Sequence, residues 1–314
     1  MSTNVSRRQF LGMTGTAAAV VAGLGLVGCS SGSDTGDAGS AAADLSGSIS
    51  CSGATSFQPL VEAAAEQFYE TYPNVSIAIS AGGSGQGLSQ IAEGSVQIGR
   101  SDVFAEAKLE EDQLAGLVDH QVAIVGMGPI VHADVDVDDL TLEQLKGIFM
   151  GEITDWEEVG GTAGAIQVIQ REAGSGTRAT FEDAVLAGET APDSFRPVAE
   201  VDSSGTVIEQ VAQTEGSISY VAFNYMENDG IKALSVDGVE PTRESVESGD
   251  FAIWSYEHMY TREDEAEETK AVTDAFIEFL LSEDVQQNLV PEQGFIPVAD
   301  MQVKKDAEGN VTEA

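Results

Sequence analysis

Apolar positions recur with two alternating periods along the first half of the chain. A helical period covers residues 57–72, and a second helix is predicted over residues 86–93. The apolar face of the first helix holds Leu60, Ala64, Phe68 and Tyr72. Alternating or continuous apolar runs, typical of strands, fall at 48–52, 75–80, 96–99 and 122–131. Because strands and helices follow each other in turn, the pattern predicts a parallel-type α/β sheet with helices on its faces.

A second unit with the same alternation follows. Thr141 precedes an amphipathic run and is predicted to cap its helix. A glycine-rich turn at residues 174–177 is predicted to open another helix, which ends near Leu186. The remaining predictions are strands at 166–170, 217–221 and 251–260 and helices at 203–215 and 264–281. The whole body of the chain is therefore expected to be of the α/β class.

The N-terminal residues predict export and anchoring. Arg7 and Arg8 precede a Phe-Leu pair, as in a twin-arginine export signal, and a weakly apolar stretch of about 16 residues follows. This stretch ends at Cys29 in a sequence that resembles a lipoprotein cleavage box, so Cys29 is the predicted lipidation site. Residues 30–47 are mostly Ser, Gly, Asp and Ala and predict a flexible tether. An uncleaved signal that stays in the membrane is the alternative.

The charge balance is strongly acidic. The 314-residue chain carries 53 Asp plus Glu against 14 Lys plus Arg, a formal net charge of −39. Such a surface repels nucleic acids and anionic lipids, which excludes a general nucleic-acid binder. In molar salt the Debye length is only ~3 Å, so the same surface stays hydrated with little repulsion. The composition therefore predicts a high-salt habitat.

Cysteine and histidine usage argues against two other classes of protein. Two cysteines exclude a disulfide scaffold, and Cys51 is expected to be a small buried strand residue. The three histidines lie far apart in the sequence without the spacing of metal ligands, and no nucleophile elbow is present. We therefore expect no metal site, no cofactor and no enzymatic activity.

Three turns rich in glycine and hydroxyl residues each lie between a predicted strand and a predicted helix. They are Thr55-Ser56-Phe57, Gly83-Ser84-Gly85 and Ser175-Gly176-Thr177. A helix N-terminus offers unpaired N–H groups and a partial positive charge, while glycine permits close approach and the hydroxyls add donors. Each turn alone is also consistent with an ordinary N-cap. The three together favour a shared anion site.

Two charged residues specify the anion further. Arg171 follows a predicted strand and precedes residues 174–177, where its guanidinium could fork onto an oxyanion; a solvated strand-end arginine is the alternative. Asp102 follows another strand, and a carboxylate in an anion site is favourable only if the ligand carries a proton for it to accept. A sulfate would leave that acceptor unpaired. The alternative role for Asp102 is a helix N-cap.

Several segments together resemble the phosphate-binding proteins of ABC transporters. The resemblance runs in order over nearly all of residues 48–300 and rests on the segments GATSFQPL (53–60), GRSD (99–102), IFMGEITDW (148–156), REAGSGTR (171–178) and GSISYV (216–221). It implies an α/β, two-lobed class II periplasmic-binding-protein fold with the ligand cleft between the lobes. It also implies that phosphate stabilises a closed state that a membrane permease recognises.

The resemblance implies the ligand shell residue by residue. The expected phosphate-binding residues are Thr55, Ser56, Phe57, Ser84, Asp102, Arg171, Ser175, Gly176 and Thr177. The chain departs from the family pattern at Ala173, where an acid that pairs with the arginine is usual, and Glu172 lies one position away. The register of residues 53–56 leaves open whether Thr55 or Ser56 makes the main contact.

The resemblance also organises the chain. Residues 48–131 and 254–302 are expected to form lobe one and residues 132–253 lobe two, with a polar tail at 303–314 that frays. The expected protein is an extracytoplasmic, lipid-anchored monomer that delivers phosphate to an ABC permease. The alternatives are a binder of sulfate, molybdate or tungstate on the same fold, a phosphate-sensing surface protein without a permease, and a phosphatase.

Overall fold

The structure is a computed structural model and describes residues 45–314. The predicted signal, the predicted lipidation site at Cys29 and most of the predicted tether lie outside the described residues. Within residues 45–314, no helix is both long enough and apolar enough to cross a membrane.

Strands and helices alternate along the described residues, as predicted. The strands are β1 (Ser46–Gly53), β2 (Asn74–Ala81), β3 (Ile98–Ser101), β4 (Leu117–His132), β5 (Asp139–Leu140), β6 (Gln167–Arg171), β7 (Ala199–Val201), β8 (Ser217–Ala222), β9 (Ile231–Ala233), β10 (Ser235–Val236), β11 (Trp254–Arg262), β12 (Val303–Lys305) and β13 (Val311–Glu313). The helices are α1 (Gln58–Thr71), α2 (Gly83–Ala92), α3 (Glu111–Leu114), α4 (Leu142–Met150), α5 (Gly176–Leu186), α6 (Ser204–Gln213), α7 (Arg243–Glu247), α8 (Glu267–Leu280) and, after a π-helical turn at Val285–Leu289, the short α9 (Val290–Glu292).

One nine-stranded sheet carries most of these strands. Its order is β2-β1-β3-β11-β4-β8-β6-β7, and β9 also pairs with β4. β1 is parallel to β2 and β3, and β6 is parallel to β7 and β8, as the alternation of elements predicts. The centre is different, because β11 and β4 run antiparallel to each other and to their outer neighbours β3 and β8. The sheet is therefore mixed, which corrects the prediction of a parallel-type sheet at its centre.

Strand β4 belongs to both halves of the sheet. Its first part pairs with β11 along residues 117–126, and its last part pairs with β8 and β9 along residues 127–132. All of residues 122–131 are buried, which explains why this strand is a continuous apolar run rather than an alternating one. The two halves of the sheet thus share one strand, and strand ends from both halves meet at the site described below.

Local sequence determines where the helices start and which face they bury. α1 has Pro59 in its first turn, where a missing N–H costs nothing. Its buried residues are Leu60, Val61, Ala64, Ala65 and Phe68. Thr141 caps α4 in a capping box with Gln144, and Gly151 ends that helix in the left-handed conformation, at φ 77°. The predicted buried face of α1, except for the half-buried Tyr72, and the predicted cap at Thr141 are confirmed.

Aromatic packing holds α5 against the second half of the sheet. Phe181 of α5 stacks on Tyr220 of β8, with ring centroids 4.0 Å apart and an interplanar angle of 10°. Phe149 of α4 packs edge-on against Phe181 at 4.8 Å. Because all three rings are buried, the N-terminus of α5 has a fixed position relative to the strands.

Cys51 lies in β1 and is buried and unpaired, which confirms the prediction of a small buried strand residue. Burial raises the pKa of its thiol to about 11. A thiol with a raised pKa is mostly protonated at neutral pH and is a poor nucleophile.

The C-terminal residues form a hairpin, so the prediction that residues 303–314 fray is wrong. β12 and β13 pair antiparallel, and Lys305 at the end of β12 lies over the ring of Trp254, 4.5 Å from its centroid. The Lys305 ammonium also donates to the Trp254 carbonyl oxygen at 2.7 Å. These contacts with β11 give a polar segment the support that its own composition does not provide.

Candidate functional site

Five segments that each follow a strand come together at one place. They are the β1–α1 turn, the start of α2 after β2, the end of β3, the β6–α5 turn and the β7–α6 turn. In a sheet of this kind the carboxyl ends of parallel strands point at the N-termini of the helices that follow, which makes this edge the usual place for a ligand. The three turns singled out in the sequence are all among the five.

Asp102 lies at the centre of the hydrogen bonds that join these segments. Its carboxylate accepts from the Ser56 hydroxyl at 2.6 Å and, on the other oxygen, from the Thr177 hydroxyl at 2.8 Å. Its backbone N–H donates to the Ser84 hydroxyl oxygen at 2.9 Å. The residue is 1% exposed. The carboxylate does not cap a helix, because the next helical turn begins after Phe104 without a side-chain cap, and this removes the N-cap alternative.

Gly176 lies so close to Ser84 that any side chain at this position would force the two segments apart. A Cβ atom at Gly176 would be 2.0 Å from the Ser84 hydroxyl oxygen and 3.0 Å from the Asp102 Cβ atom. The backbones of the two turns are also in direct contact, because the Gly85 N–H donates to the Gly174 carbonyl oxygen at 3.0 Å. The N-termini of α2 and α5 therefore face each other across the site at backbone distance.

Arg171 is a buried cation at the end of β6. It is 1% exposed, and its guanidinium donates to the Thr55 hydroxyl at 3.4 Å, the Ser204 hydroxyl at 3.5 Å and the Asp202 carbonyl oxygen at 3.0 Å. Its Nε atom has no acceptor among the described residues. Burial lowers the pKa of Arg171, with a partial offset from charges that include Asp102, but a guanidinium stays protonated in proteins. The solvated-arginine alternative is thus wrong.

The acid that follows Arg171 in the sequence does not pair with it. Glu172 and Ala173 are both exposed, and the Arg171 guanidinium forms no ion pair within 4.0 Å with a carboxylate of residues 45–314. Its anionic neighbour in the interior is instead Asp102, whose charge acts on it without direct contact. The departure from the family pattern at Ala173 therefore leaves a buried positive charge without a contacting carboxylate.

Thr55 and Ser56 both reach the site but contact different groups. The Thr55 hydroxyl lies 3.2 Å from the Ser204 hydroxyl and accepts from the Ser204 N–H at 3.2 Å, next to Arg171. Ser56 turns instead toward Asp102. The Phe57 ring is buried against Phe295, so only the backbone of this residue is available to a ligand.

The hydroxyls of the other two turns have different roles. Ser175 is the N-cap of α5, since its hydroxyl accepts from the Arg178 N–H at 3.1 Å, and the ordinary-cap alternative holds for this side chain. Ser84 is not a cap, because α2 is preceded by Gly82 without a side-chain cap. Thr177 lies inside the first turn of α5 and points its hydroxyl at Asp102.

Two residues at the site were missed in the sequence. Ser204 begins α6 and contacts both Thr55 and Arg171; the run of two serines and a glycine at residues 203–205, which starts this helix after β7, repeats the pattern of the other turns. Glu257 lies in β11 with 0% exposure, and its signal is a single acid inside a strand rich in aromatic residues. Burial, and then the charge of Asp102, raise the pKa of Glu257 well above its usual range.

Comparison with known proteins now identifies the family. A family model described as a PBP superfamily domain matches residues 38–284. The phosphate-binding protein PstS of Bacillus subtilis is 47% identical over 264 residues, which covers 84% of this chain and 85% of the relative. The chain belongs to the PstS family.

Solved structures of proteins named for phosphate transport share the fold. A phosphate ABC transporter substrate-binding protein from Clostridium perfringens, solved with bound phosphate, is 36% identical and superposes with a TM-score of 0.73 over 80% of this chain and all of that one. An ABC-type phosphate transport receptor from Vibrio cholerae is 28% identical, with a TM-score of 0.63 over 79% of this chain and 99% of the other. The predicted two-lobed class II fold is confirmed.

Proposed function

We propose that this chain binds inorganic phosphate outside the cytoplasm and delivers it to an ABC permease. The observation that carries the proposal is the buried Asp102 carboxylate, which lies among hydroxyls and helix N-termini from both halves of the sheet. A carboxylate repels an anion unless that anion donates a proton to it, and hydrogen phosphate or dihydrogen phosphate does so. The PstS relatives, including the structure with bound phosphate, support the same ligand.

The proposed ligand shell divides into one acceptor and several donors. Asp102 accepts the P–OH hydrogen, and Arg171 supplies the positive charge that balances the phosphate oxygens. The other donors are hydroxyl or backbone N–H groups of Thr55, Ser56, Phe57, Ser84, Ser175, Gly176 and Thr177. The first turns of α1, α2 and α5 add the positive ends of their dipoles. The hydroxyls of Ser56 and Thr177 rotate from Asp102 to phosphate oxygens as the ligand enters.

A direct test is calorimetric titration of the purified protein with phosphate and then with sulfate, in multimolar salt at neutral pH. We expect phosphate to bind tightly and sulfate, molybdate and tungstate to bind at least about 100-fold more weakly, because these ligands leave the Asp102 carboxylate buried without a donor. Equal binding of phosphate and sulfate would contradict the role of Asp102. Absence of any binding by the folded protein would contradict the function itself.

The cell-surface location is part of the proposal. The twin arginines at Arg7 and Arg8, the cleavage box at Cys29 and the polar residues 30–47 support an exported lipoprotein held near the membrane by a short tether. Mass spectrometry of the protein from its own membranes should find a lipid on Cys29, and Cys29→Ser should release the protein into the medium. Retention of Cys29→Ser in the membrane would favour an uncleaved signal.

The acid excess supports a halophilic, monomeric protein. With a net charge of −39, repulsion within the chain and between copies is strong at low salt and falls as the Debye length shortens from ~10 Å at 0.1 M to ~3 Å at 1 M. Unfolding followed against potassium chloride concentration should show stability rising with salt up to the molar range. The same screening lets phosphate approach an acidic surface, so its association rate should rise with salt as well.

A further inference from the structure

Glu257 lies directly beside the proposed phosphate acceptor. β11 pairs antiparallel with β3, with His258 opposite Ser101 and Met259 opposite Arg100. One step further along the same register places Glu257 opposite Asp102, at the point where the β3 ladder ends. The register between β11 and β4 shifts between Glu257 and His258, so the backbone is irregular at this residue.

The Glu257 side chain is enclosed without a donor. It is fully buried, and neither carboxyl oxygen accepts a hydrogen bond from any group of residues 45–314. The side chains that neighbour it are those of Asp102 and Ser56, and the Ser56 hydroxyl donates to Asp102. Two carboxylates that face each other are both acceptors, so they form a hydrogen bond only if one of them carries a proton.

The other charged and titratable groups around Glu257 do not neutralise it by contact. Arg100 of β3 is buried and donates to the Ser80 carbonyl oxygen at 2.5 Å, while its Nε and Nη1 atoms have no acceptor in the described part of the chain. Tyr225 lies in the turn after β8, and burial, followed by charges that include Glu257, raises the pKa of its hydroxyl. This hydroxyl donates to the Thr55 carbonyl oxygen at 3.0 Å, not to Glu257. A proton on Glu257 is therefore the remaining way to compensate its burial.

We propose that Glu257 is a neutral carboxylic acid that keeps its proton, donates a hydrogen bond through it to Asp102, and thereby holds Asp102 as the ionised acceptor for the P–OH group of the ligand. Glu257 is a positioning residue, because it acts on phosphate through Asp102. The proposal rests on phosphate binding as argued above and adds the group that controls the protonation of the acceptor.

The hydrogen-bond donors around Asp102 and Glu257 determine which of the two carboxyl groups holds the proton. Asp102 accepts from Ser56 and Thr177, which favours its ionised form, whereas Glu257 accepts from no group. Burial, the largest effect, and the Asp102 charge act against ionisation of Glu257 and outweigh the opposing effects of Ser56 and Arg100. The proton therefore lies on Glu257 at neutral pH. When the pH rises through the raised pKa of Glu257, a second negative charge develops behind Asp102, and phosphate affinity should fall.

Two variants separate the proton from the shape of the side chain. Glu257→Gln keeps the volume and an N–H donor toward Asp102 but cannot ionise, while Glu257→Leu keeps the volume and removes the donor. The matched control is Glu278→Gln, since Glu278 is an exposed residue of α8 and its replacement removes one negative charge outside the site. Phosphate affinity is measured calorimetrically between about pH 6 and pH 10 at constant high salt, where phosphate keeps at least one proton.

We expect the affinity of the natural chain and of Glu278→Gln to fall by about tenfold or more toward high pH. Glu257→Gln should bind phosphate as well as the natural chain at neutral pH and lose this additional fall. Glu257→Leu should bind roughly tenfold more weakly at neutral pH, because Asp102 loses its donor. A Glu257→Gln profile that falls like that of the natural chain would overturn the proposal, since a merely structural residue gives that result.

Infrared spectroscopy of the protein without ligand tests the proton independently of phosphate. The carbonyl stretch of a protonated carboxylic acid should be present at neutral pH in the natural chain and in Glu278→Gln, and absent in Glu257→Gln. If this band belongs to Glu257 but phosphate does not bind, the proposed function fails and the protonated pair stands. If phosphate binds and Glu257→Gln leaves the spectrum unchanged, the inference fails and the function stands.

Discussion

Thr177 donates its hydroxyl hydrogen to Asp102 over 2.8 Å, and this bond joins helix α5 to the end of strand β3. α5 packs on the second half of the sheet through Phe181, whereas β3 lies in the first half. Ser56, at the start of α1, occupies the other oxygen of the same carboxylate. Asp102 is thus the point where both halves of the molecule contact one charged group, and a ligand that bonds Asp102 couples binding to the approach of the two halves.

Replacement of Asp102 by asparagine should weaken phosphate binding and narrow the discrimination against sulfate. The amide can still accept a hydrogen bond, but it is neutral and also presents an N–H donor that suits a fully deprotonated oxyanion. We expect a loss of about 2 kcal/mol for phosphate and no loss for sulfate, measured by calorimetry with both anions. Asp112→Asn, an exposed change of the same kind, should leave both affinities unchanged. A sulfate affinity that falls together with that of phosphate would contradict the proton-accepting role.

Replacement of Gly176 by alanine should separate the N-termini of α2 and α5. The new methyl group would lie 2.0 Å from the Ser84 hydroxyl oxygen and would also press on Asp102, so the two segments must move apart. We expect phosphate affinity to fall by roughly tenfold or more, with only a moderate fall in thermal stability. Gly174→Ala is the control two residues away, because a Cβ there has no neighbour within 4 Å. Equal effects of the two substitutions would show that any added methyl group in this turn, and not contact with Ser84, explains the loss.

Lys305 should make the stability of the protein depend on alkaline pH. Burial lowers the pKa of its ammonium to about 8 from 10.5, so between these values the unfolded chain holds a proton that the folded chain has released. The free energy of unfolding should therefore rise with pH across this window, by about 1–2 kcal/mol, and Lys305→Met should remove that rise. Denaturant unfolding at several pH values and constant salt measures it, with the exposed Lys304→Met as control. Parallel pH profiles for Lys305→Met and the natural chain would show that the contact with Trp254 keeps the ammonium charged.

The parts of the site that could be predicted are those whose position depends only on residues nearby in the sequence. The hydroxyl and glycine residues around Ser84 and Thr177 stand between a strand and a helix, so their position at a helix N-terminus follows from the pattern alone. Arg171 could be singled out because it comes just before one of these turns, where a guanidinium can fork onto an oxyanion, and Asp102 because a carboxylate in an anion site requires a ligand that carries a proton. In each case the residue and the reason for its position lie within about ten residues of each other.

The parts that could not be predicted depend on pairing between distant segments. Glu257 reaches Asp102 only because β11 returns antiparallel between β3 and β4. The sequence of a strand that is buried on both faces does not show whether it runs parallel or antiparallel to its neighbours. The C-terminal hairpin is similar, since Lys305 is ordered by Trp254, about fifty residues earlier in the chain. Its polar composition alone predicts fraying, and only the tertiary contact overrides that prediction.

Replacement of Arg171 by methionine should separate ligand binding from the stability of the fold. The guanidinium is buried without a contacting carboxylate, and the hydrogen bonds it donates to Thr55 and Ser204 are long, at 3.4 and 3.5 Å. A buried charge of this kind stabilises the fold little, because desolvation offsets its contacts. Arg171→Met should therefore change the free energy of unfolding without ligand by no more than about 1 kcal/mol. Phosphate affinity should fall by roughly 100-fold, since the main positive charge of the site is lost.

Calorimetry and denaturant unfolding on the same preparation distinguish the two effects of Arg171→Met. The exposed Arg196→Met serves as the control for loss of a positive charge and should change neither quantity appreciably. A destabilisation of Arg171→Met beyond about 3 kcal/mol without ligand would mean that Arg171 and Asp102 act as a structural ion pair. In that case phosphate would have to displace Arg171 from Asp102 on binding, and Asp102→Asn would destabilise the fold by a similar amount. Stability that survives the substitution, with phosphate binding lost, leaves Arg171 as a charge whose counterion is the ligand.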